Sequence, residues 1–481
     1  MTGSGPSALP VPFAAPDRTR PAAPVPLAEA PGVFRFFQLV RENPVQVFAE
    51  GAYRAPDIYR RTWLRDVLLA TAPATVQRVL LDNAANYAKS DQQQARLKPA
   101  LGEGLLTAEG EHWRRQRRVT APAFQHRRLL AFGSGMTAAV DSLLARWDAR
   151  PDGARIDLAD EMMHLTYDII SRTIFAGSAA VDAGRMGEAI ALYFETIGRL
   201  DIVSFLRLPS WVPSPEKARG RPALAFFQQE VGRIVDARLA RGREETGASD
   251  LLSMLVEAKD AETGSRFTRQ EIIDNVITFI GAGHETTANA MAWTFYLLST
   301  FPWAEAKVRA EIDAVLGPRA PTVDDVPALV WTRAVIEEAM RLYPPAPMMG
   351  RTAQAADTLG GQAIRPGASV LVSPWLIHRH HALWEEPELF DPNRFMPGTR
   401  ERIHRFAYLP FGGGPRICIG MAFALQEAVL ILAGIIRRYR LHLVPGTLVV
   451  PQARITLRPA GGLPMTLHRR APADYRSAAA A

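Results

Sequence analysis

Phe411-Gly412-Gly413-Gly414-Pro415-Arg416-Ile417-Cys418-Ile419-Gly420 holds the only cysteine in a chain of 481 residues. A lone cysteine forms neither an intrachain disulfide nor a CxxC zinc or redox pair. Most free cysteines are small buried hydrophobes, but these surroundings point elsewhere. The three glycines permit backbone conformations closed to other residues, and Gly420 lets a partner approach just after the sulfur. Pro415 stiffens the loop. Arg416 sets a permanent cation two residues away, which favours thiolate over thiol. The apolar helical pattern from Met421 to Ile436 sets Cys418 at a helix N-terminus, where the dipole also favours an anionic sulfur. A rigid loop presenting one thiolate, with no second Cys or His at metal spacing, suits an axial ligand to haem iron.

The composition is that of an ordinary globular enzyme, 48% hydrophobic and 22% charged. The net charge of +7 admits an anionic partner. No zinc-finger, RNA-binding or basic leucine-zipper spacing occurs, so nucleic acid is not expected. Residues 1–33 are Pro-rich, with eight prolines between Pro6 and Pro31, and read as disordered. They contain no apolar run of the roughly 20 residues that a membrane span requires, and no signal-peptide core.

Three further stretches carry chemistry. In Glu111-His-Trp113-Arg114-Arg115-Gln-Arg117-Arg118, Trp113 and Arg117 lie four apart and share a helix face. Thr268 and Glu271 form a capping box, and the helical pattern then runs to Phe301, before Pro302. At about 1.5 Å per residue such a helix is roughly 50 Å long and crosses the middle of a globular protein. Its centre, Ala282-Gly283-His284-Glu285-Thr286-Thr287, sets a carboxyl and a hydroxyl in an apolar helix. Gly281 and Gly283 flank Ala282 and suggest a flat group against that face, while His284 reads as a bystander on the helix flank. Glu338 and Arg341 are i,i+3 neighbours ahead of Leu342-Tyr343-Pro344-Pro345. His378, His380 and His381 read as a solvated loop, and Leu457–Leu467 as a hairpin about Gly461-Gly462.

The cysteine stretch matches every fixed position of the Phe-x-x-Gly-x-Arg-x-Cys-x-Gly signature of the cytochrome P-450 monooxygenases. The chain resembles that family in five motifs, in the family's order, over roughly residues 35–470. The resemblance implies a single mainly α domain at 34–470 with a small β-rich lobe (α+β) and a long central helix over haem b, followed by a disordered tail at 471–481. It implies Cys418 as iron ligand, with Trp113, Arg117, Arg351 and Arg416 on the haem propionates. Phe411, Gly414, Gly420 and Ala282 would border the cofactor. Thr286 and Glu285 would deliver protons, since the outer atom of dioxygen leaves as water and a hydroxyl can both donate and accept. Glu338, Arg341 and Arg394, the last in Phe390-Asp-Pro392-Asn-Arg394-Phe395, would form a buried structural triad. Met348, Met349, Phe279 and Leu463 would line a substrate pocket roofed by residues 190–208.

The reaction so implied is insertion of one oxygen atom from O2 into a hydrophobic substrate such as a fatty acid, terpenoid or polycycle. No segment reads as a flavin or iron–sulfur domain, so electrons are expected from a separate ferredoxin and its reductase. Basic residues at Arg114–Arg128 and Arg400–Arg405 suggest an acidic partner. A monomeric, cytoplasmic, bacterial-type protein without a membrane anchor follows. Two alternatives are a peroxygenase using hydrogen peroxide, which the Glu285-Thr286 pair disfavours, and a non-catalytic haem-binding sensor.

Overall fold

The computed structural model describes residues 13–14, 20–61, 66–175, 215–240 and 250–470. Its helices of ten or more residues are α1 (Val33–Glu42), α2 (Asp91–Leu101), α3 (Gly110–Thr120), α4 (Gly133–Asp148), α5 (Leu158–Phe175), α6 (Pro215–Ala240), α7 (Arg269–Thr300), α8 (Pro302–Leu316), α9 (Val330–Leu342) and α10 (Met421–Arg438). The central helix α7 starts where its capping box predicts. Glu271 N–H donates to Thr268 Oγ1 at 3.2 Å, and Thr268 N–H donates to a Glu271 carboxylate oxygen at 2.8 Å. It ends at Phe301, ahead of Pro302. Ile272–Gly281 and most of His284–Leu298 are buried, because α5, α6, α9 and α10 all pack against it.

The strands that position the site are β1 (Asp57–Arg61), β2 (Asp66–Ala70), β3 (Tyr87–Lys89), β4 (Arg155–Asp157), β5 (Met349–Ala353), β6 (Ser369–Val372), β7 (Tyr439–Leu443), β8 (Pro451–Ala453), β9 (Leu457–Pro459) and β10 (Pro464–Arg469). A five-stranded sheet runs β1-β2-β6-β5-β3. Its β3–β5 edge pairs Lys89 with Arg351. The expected hairpin about Gly461-Gly462 does not form. β9 pairs with β8, whereas β10 pairs with β7 and β4, so the two glycines turn the chain from one sheet into another.

Two other expectations are corrected. Within the Pro-rich segment, Pro21, Ala22 and Pro24 are buried. Ala22 donates to Tyr296 Oη at 3.0 Å, and Tyr343 Oη donates to the Ala22 carbonyl at 2.6 Å. The histidine loop is not solvated as a whole, because His378 and His380 are buried and only His381 is exposed. His378 Nδ1 lies 3.1 Å from the Arg341 carbonyl, and its Nε2 accepts from Leu409 N–H at 2.7 Å. The expected tail at 471–481 and the expected pocket roof at 190–208 lie outside the described residues.

Burial holds His378 at a pKa of about 3 and His284, on α7, at about 4. The unfolded chain binds these protons first, near pH ~6.5. Their stabilisation is therefore complete above that pH and is lost as pH falls towards about 4. Thermal melting should give a lower midpoint at pH 5 than at pH 7, with a smaller difference in His378→Gln; an equal difference in both would remove His378 from the acid response.

Candidate active site

The cysteine loop is closed by its own backbone. Gly412 N–H donates to the Leu409 carbonyl at 3.1 Å, and Cys418 N–H donates to the Phe411 carbonyl at 2.9 Å. Gly414 has φ +67°, and a Cβ there would collide with the Leu80 carbonyl, so only glycine fits. Gly420 caps α10, which puts Cys418 just before a helix N-terminus. The sulfur borders open space that protein surrounds. Burial pushes its pKa up, opposed by the Gly420 backbone and by the Arg117 cation. The cation beside the sulfur is therefore Arg117 on α3, not Arg416. Arg416 turns away to ion-pair with Glu109 and to donate to the Ala108 carbonyl at 3.2 Å. Its guanidinium lies 4.4 Å from the Trp113 ring centroid, a cation–π contact.

A second feature surrounds Glu109. Arg351 is buried and, among the described residues, donates only to the carbonyl of its neighbour Gly350, at 3.0 Å. Desolvation and the Arg416 charge lower its pKa to about 10. Lys89, which carried no sequence signal, is equally buried and donates from Nζ to the Ala108 carbonyl at 3.1 Å. Desolvation, with Arg416 and Arg351, brings it down to about 7. Among the described residues, Arg117 has neither a hydrogen bond nor an ion pair with a carboxylate.

The third feature is the turn Ala282–Thr286 of α7. Ala282 is exposed and Thr286 half-buried in a helix whose neighbours are buried. Thr286 Oγ1 donates to the Ala282 carbonyl at 2.8 Å, the back-bond that weakens a helix locally. Glu285 is buried and accepts from Thr456 Oγ1 at 2.6 Å, and Thr456 in turn accepts from Asn289 Nδ2 at 3.2 Å. Burial raises the Glu285 pKa. Acid and alcohol thus share one turn without a hydrogen bond between them. Gly283 answers to a neighbouring helix rather than to a flat group: a Cβ there would lie 3.1 Å from Ile170 on α5. His284 is not on an open flank either. It is buried against Tyr167 of α5, edge-on at 6.1 Å, with Nδ1 2.7 Å from the Ile280 carbonyl.

The triad is assembled. Arg341 Nε donates to Glu338 at 2.6 Å, and Arg394 Nε lies 3.7 Å from the same carboxylate. Of the expected pocket residues, Phe279 packs edge-on against Phe124 at 5.6 Å, and the Phe124 ring lies 4.0 Å from the Cβ position of Gly420. Phe279 therefore sits near the cysteine loop. Met348 is half-buried against the main core. Met349 turns to the cysteine loop, its sulfur 3.5 Å from the Cβ position of Gly412. Leu463 is fully buried in the core and borders no open pocket.

A thiol facing open space and bordered by Arg117, with a buried Arg351 bonded to a carbonyl and to no carboxylate of the described residues, fits a haem held through one thiolate. The group's acidic side chains would compensate those cations, and metal ligation deprotonates a thiol outright. These residues fit a site of the haem-thiolate type. The family description Cytochrome P450 matches residues 24–462. Cyclooctatin synthase of Streptomyces melanosporofaciens is 37% identical over 89% of this chain and 92% of its own length. Cyclooctat-9-en-7-ol 5-monooxygenase of the same organism is 36% identical over 79% of this chain and 81% of its own. The crystal structure of the cytochrome P450DA heme domain superposes with a TM-score of 0.78 at 28% identity, covering 93% of this chain and 95% of that one. The chain belongs to the cytochrome P450 family of haem-dependent monooxygenases.

Gly414→Ala should prevent the loop from closing on Leu80, so the purified protein should carry little haem per chain by absorbance. Gly51→Ala, where a Cβ meets nothing within 4 Å, is the control. Full haem content in Gly414→Ala would contradict the loop geometry.

Proposed function

We propose that this protein holds haem b through the Cys418 thiolate and inserts one oxygen atom from O2 into an apolar, terpenoid-like substrate. The observation that carries this reading is the half-open turn of α7, with the Thr286 hydroxyl on the Ala282 carbonyl. When bound, the haem supplies dioxygen activation, with thiolate ligation favouring O–O cleavage. Thr286 can leave the Ala282 carbonyl and offer its hydroxyl to the open side, donating one proton while accepting another. Glu285, its pKa raised by burial, can store that second proton. It reaches Thr286 by releasing Thr456 or through a water. Arg117, Arg351, Arg416 and the Trp113 indole N–H would hold its propionates.

The substrate class rests on the relative whose name denotes a 5-monooxygenase of an ene-alcohol, and on the cyclooctatin synthase that accompanies it, together with the apolar residues Phe124 and Phe279 beside the site. A titration of the ferric protein with cyclic terpenoids, fatty acids and steroids should show a saturable low-spin to high-spin Soret shift for the cyclic terpenoids. A shift with fatty acids alone would replace the substrate class. Thr286→Ala should keep that shift but divert electrons to peroxide, lowering product per electron pair on the order of tenfold or more; unchanged coupling would remove Thr286 from proton delivery.

Electrons come, on this reading, from an acidic ferredoxin and its reductase. Arg114 and Arg118 already carry acidic partners within the chain, Arg114 pairing with Glu111 at 2.6 Å and Arg118 with Asp260 at 3.0 Å. Arg127 and Arg128 are exposed and have no ion pair among the described residues. Reversing both to Glu should slow reduction by the ferredoxin and flatten its salt dependence; unchanged reduction kinetics would move the docking face elsewhere. No helix among the described residues is long and apolar enough to cross a membrane, and we assign the activity to the cytoplasm.

A further inference from the structure

We propose that the surface cavity between the start of α8 and the loop 385–394 binds a small organic cation, an alkylammonium or alkylguanidinium. It uses none of the residues assigned to the cofactor or to proton delivery. The cavity holds about 470 Å³, within the range of small-molecule sites. One wall is aromatic. Trp303 is 43% exposed, while Phe301 and Phe390 behind it are buried. The Phe390 ring centroid lies 5.1 Å from that of Phe301 and 6.1 Å from that of Trp303.

The rest of the lining is charged, and its charge is unbalanced. Glu385, Glu386 and Asp391 face a single guanidinium, that of Arg394. Arg394 is already committed. Its Nη2 donates to the Glu386 carbonyl at 3.0 Å, and its Nε lies 3.7 Å from Glu338. Asp391 accepts from Asn393 through one oxygen, at 3.1 Å from N–H and 2.7 Å from Nδ2. Glu385 and Glu386 make no ion pair among the described residues. Helix dipoles do not reverse this sign, because α7 ends and α8 begins at Phe301 and their opposed ends cancel there.

The aromatic wall decides which cation fits. Among the described residues no group of three His, Cys, Asp or Glu could hold a metal ion, and a hydrated metal ion gains little from a Trp face. A cation with apolar flanks is attracted to the ring, and its N–H groups bond the carboxylates. The fold pairs cations with Trp rings in the same way beside this cavity. Lys307 Nζ lies 4.6 Å from the Trp331 centroid and 5.7 Å from that of Trp303. Arg379 stacks at 3.6 Å on Trp375, with Glu388 3.5 Å from its Nε. The acidic wall is also preorganised, since Arg341 bonds the Pro387 and Leu389 carbonyls of the same loop at 2.7 and 2.8 Å. A wall held in place before binding costs less to order.

The test titrates agmatine, which carries a guanidinium and an ammonium, into the full-length holoprotein at low ionic strength. Heat of binding and the thermal midpoint are read, with sodium chloride of equal ionic strength as the blank. Agmatine should bind saturably and raise the midpoint above the blank. Trp303→Leu should weaken it roughly three- to thirtyfold. Glu385→Gln combined with Glu386→Gln, both at exposed positions, should weaken it and flatten its salt dependence. Lys307→Met should bind agmatine at least as tightly as the parent. Agmatine that behaves as sodium chloride does would overturn the proposal, because only screening would then be at work. Saturable binding that neither the Trp303 variant nor the paired Glu variant weakens would also overturn it, by placing the cation elsewhere.

Discussion

The buried guanidinium of Arg341 uses all five of its N–H groups. Nε and Nη2 bond the Glu338 carboxylate at 2.6 and 2.7 Å. Nη1 bonds the carbonyls of His378 and Pro387 at 2.8 and 2.7 Å, and Nη2 bonds that of Leu389 at 2.8 Å. A charge without water is tolerable only when so completely bonded. Five acceptors from three separate segments leave few alternative arrangements, so α9 and residues 378–389 are fixed to each other. The constraint continues to the sulfur. His378 receives Leu409 N–H, the Leu409 carbonyl receives Gly412 N–H, and the Phe411 carbonyl receives Cys418 N–H. A protonated His378 would point a donor at the donor of Leu409, which is why a neutral imidazole, held at about 3, belongs in this chain of bonds.

Two charged clusters therefore serve opposite ends. The Arg341 cluster is saturated from within and makes the cysteine loop rigid. The cluster of Lys89, Arg351 and Arg416 is unsaturated from within and is suited to an anion from outside. Arg341, Lys89 and Arg351 are buried and Arg416 half-buried, and the difference lies in the count of acceptors. Cysteine placement depends on the first and, on the proposed reading, cofactor orientation on the second. They meet in the segment from Leu409 to Cys418, which follows the His378 contact and carries Arg416.

What the sequence made legible was local. The capping box of α7, the glycine–cysteine stretch and the Glu338–Arg341 pair are all contained within a few residues, and each forms as spacing predicts. What it hid depends on partners far along the chain. Arg416 is two residues from Cys418 but bonds Glu109, so Arg117 is the cation that acts on the sulfur. Arg114 and Arg118 look like a free basic face until Glu111 and Asp260 are seen beside them. The hydroxyl that holds Glu285 comes from Thr456, 171 residues away. Lys89 acquires meaning only from sheet register. Gly283 was read as making room for a ligand and instead makes room for Ile170.

The separation of Glu285 from Thr286 follows from helix geometry. Successive residues of an α-helix point about 100° apart, so an acid and an alcohol in adjacent positions cannot both face one open space. Thr286 takes the open side next to Ala282. Glu285 turns to the segment beside β9, where Thr456 holds it while accepting from Asn289 of α7. On the proposed reading this is an advantage. A carboxyl kept off the open side cannot contact an apolar substrate there, yet one side-chain rotation brings its proton around the helix. The back-bond of Thr286 serves the same end, since a hydroxyl committed to the Ala282 carbonyl at rest donates elsewhere only when something better accepts. On that reading the turn holds its donors in reserve until a stronger acceptor is present, and Ile170 of α5 packs so near Gly283 that a Cβ there would lie 3.1 Å from it.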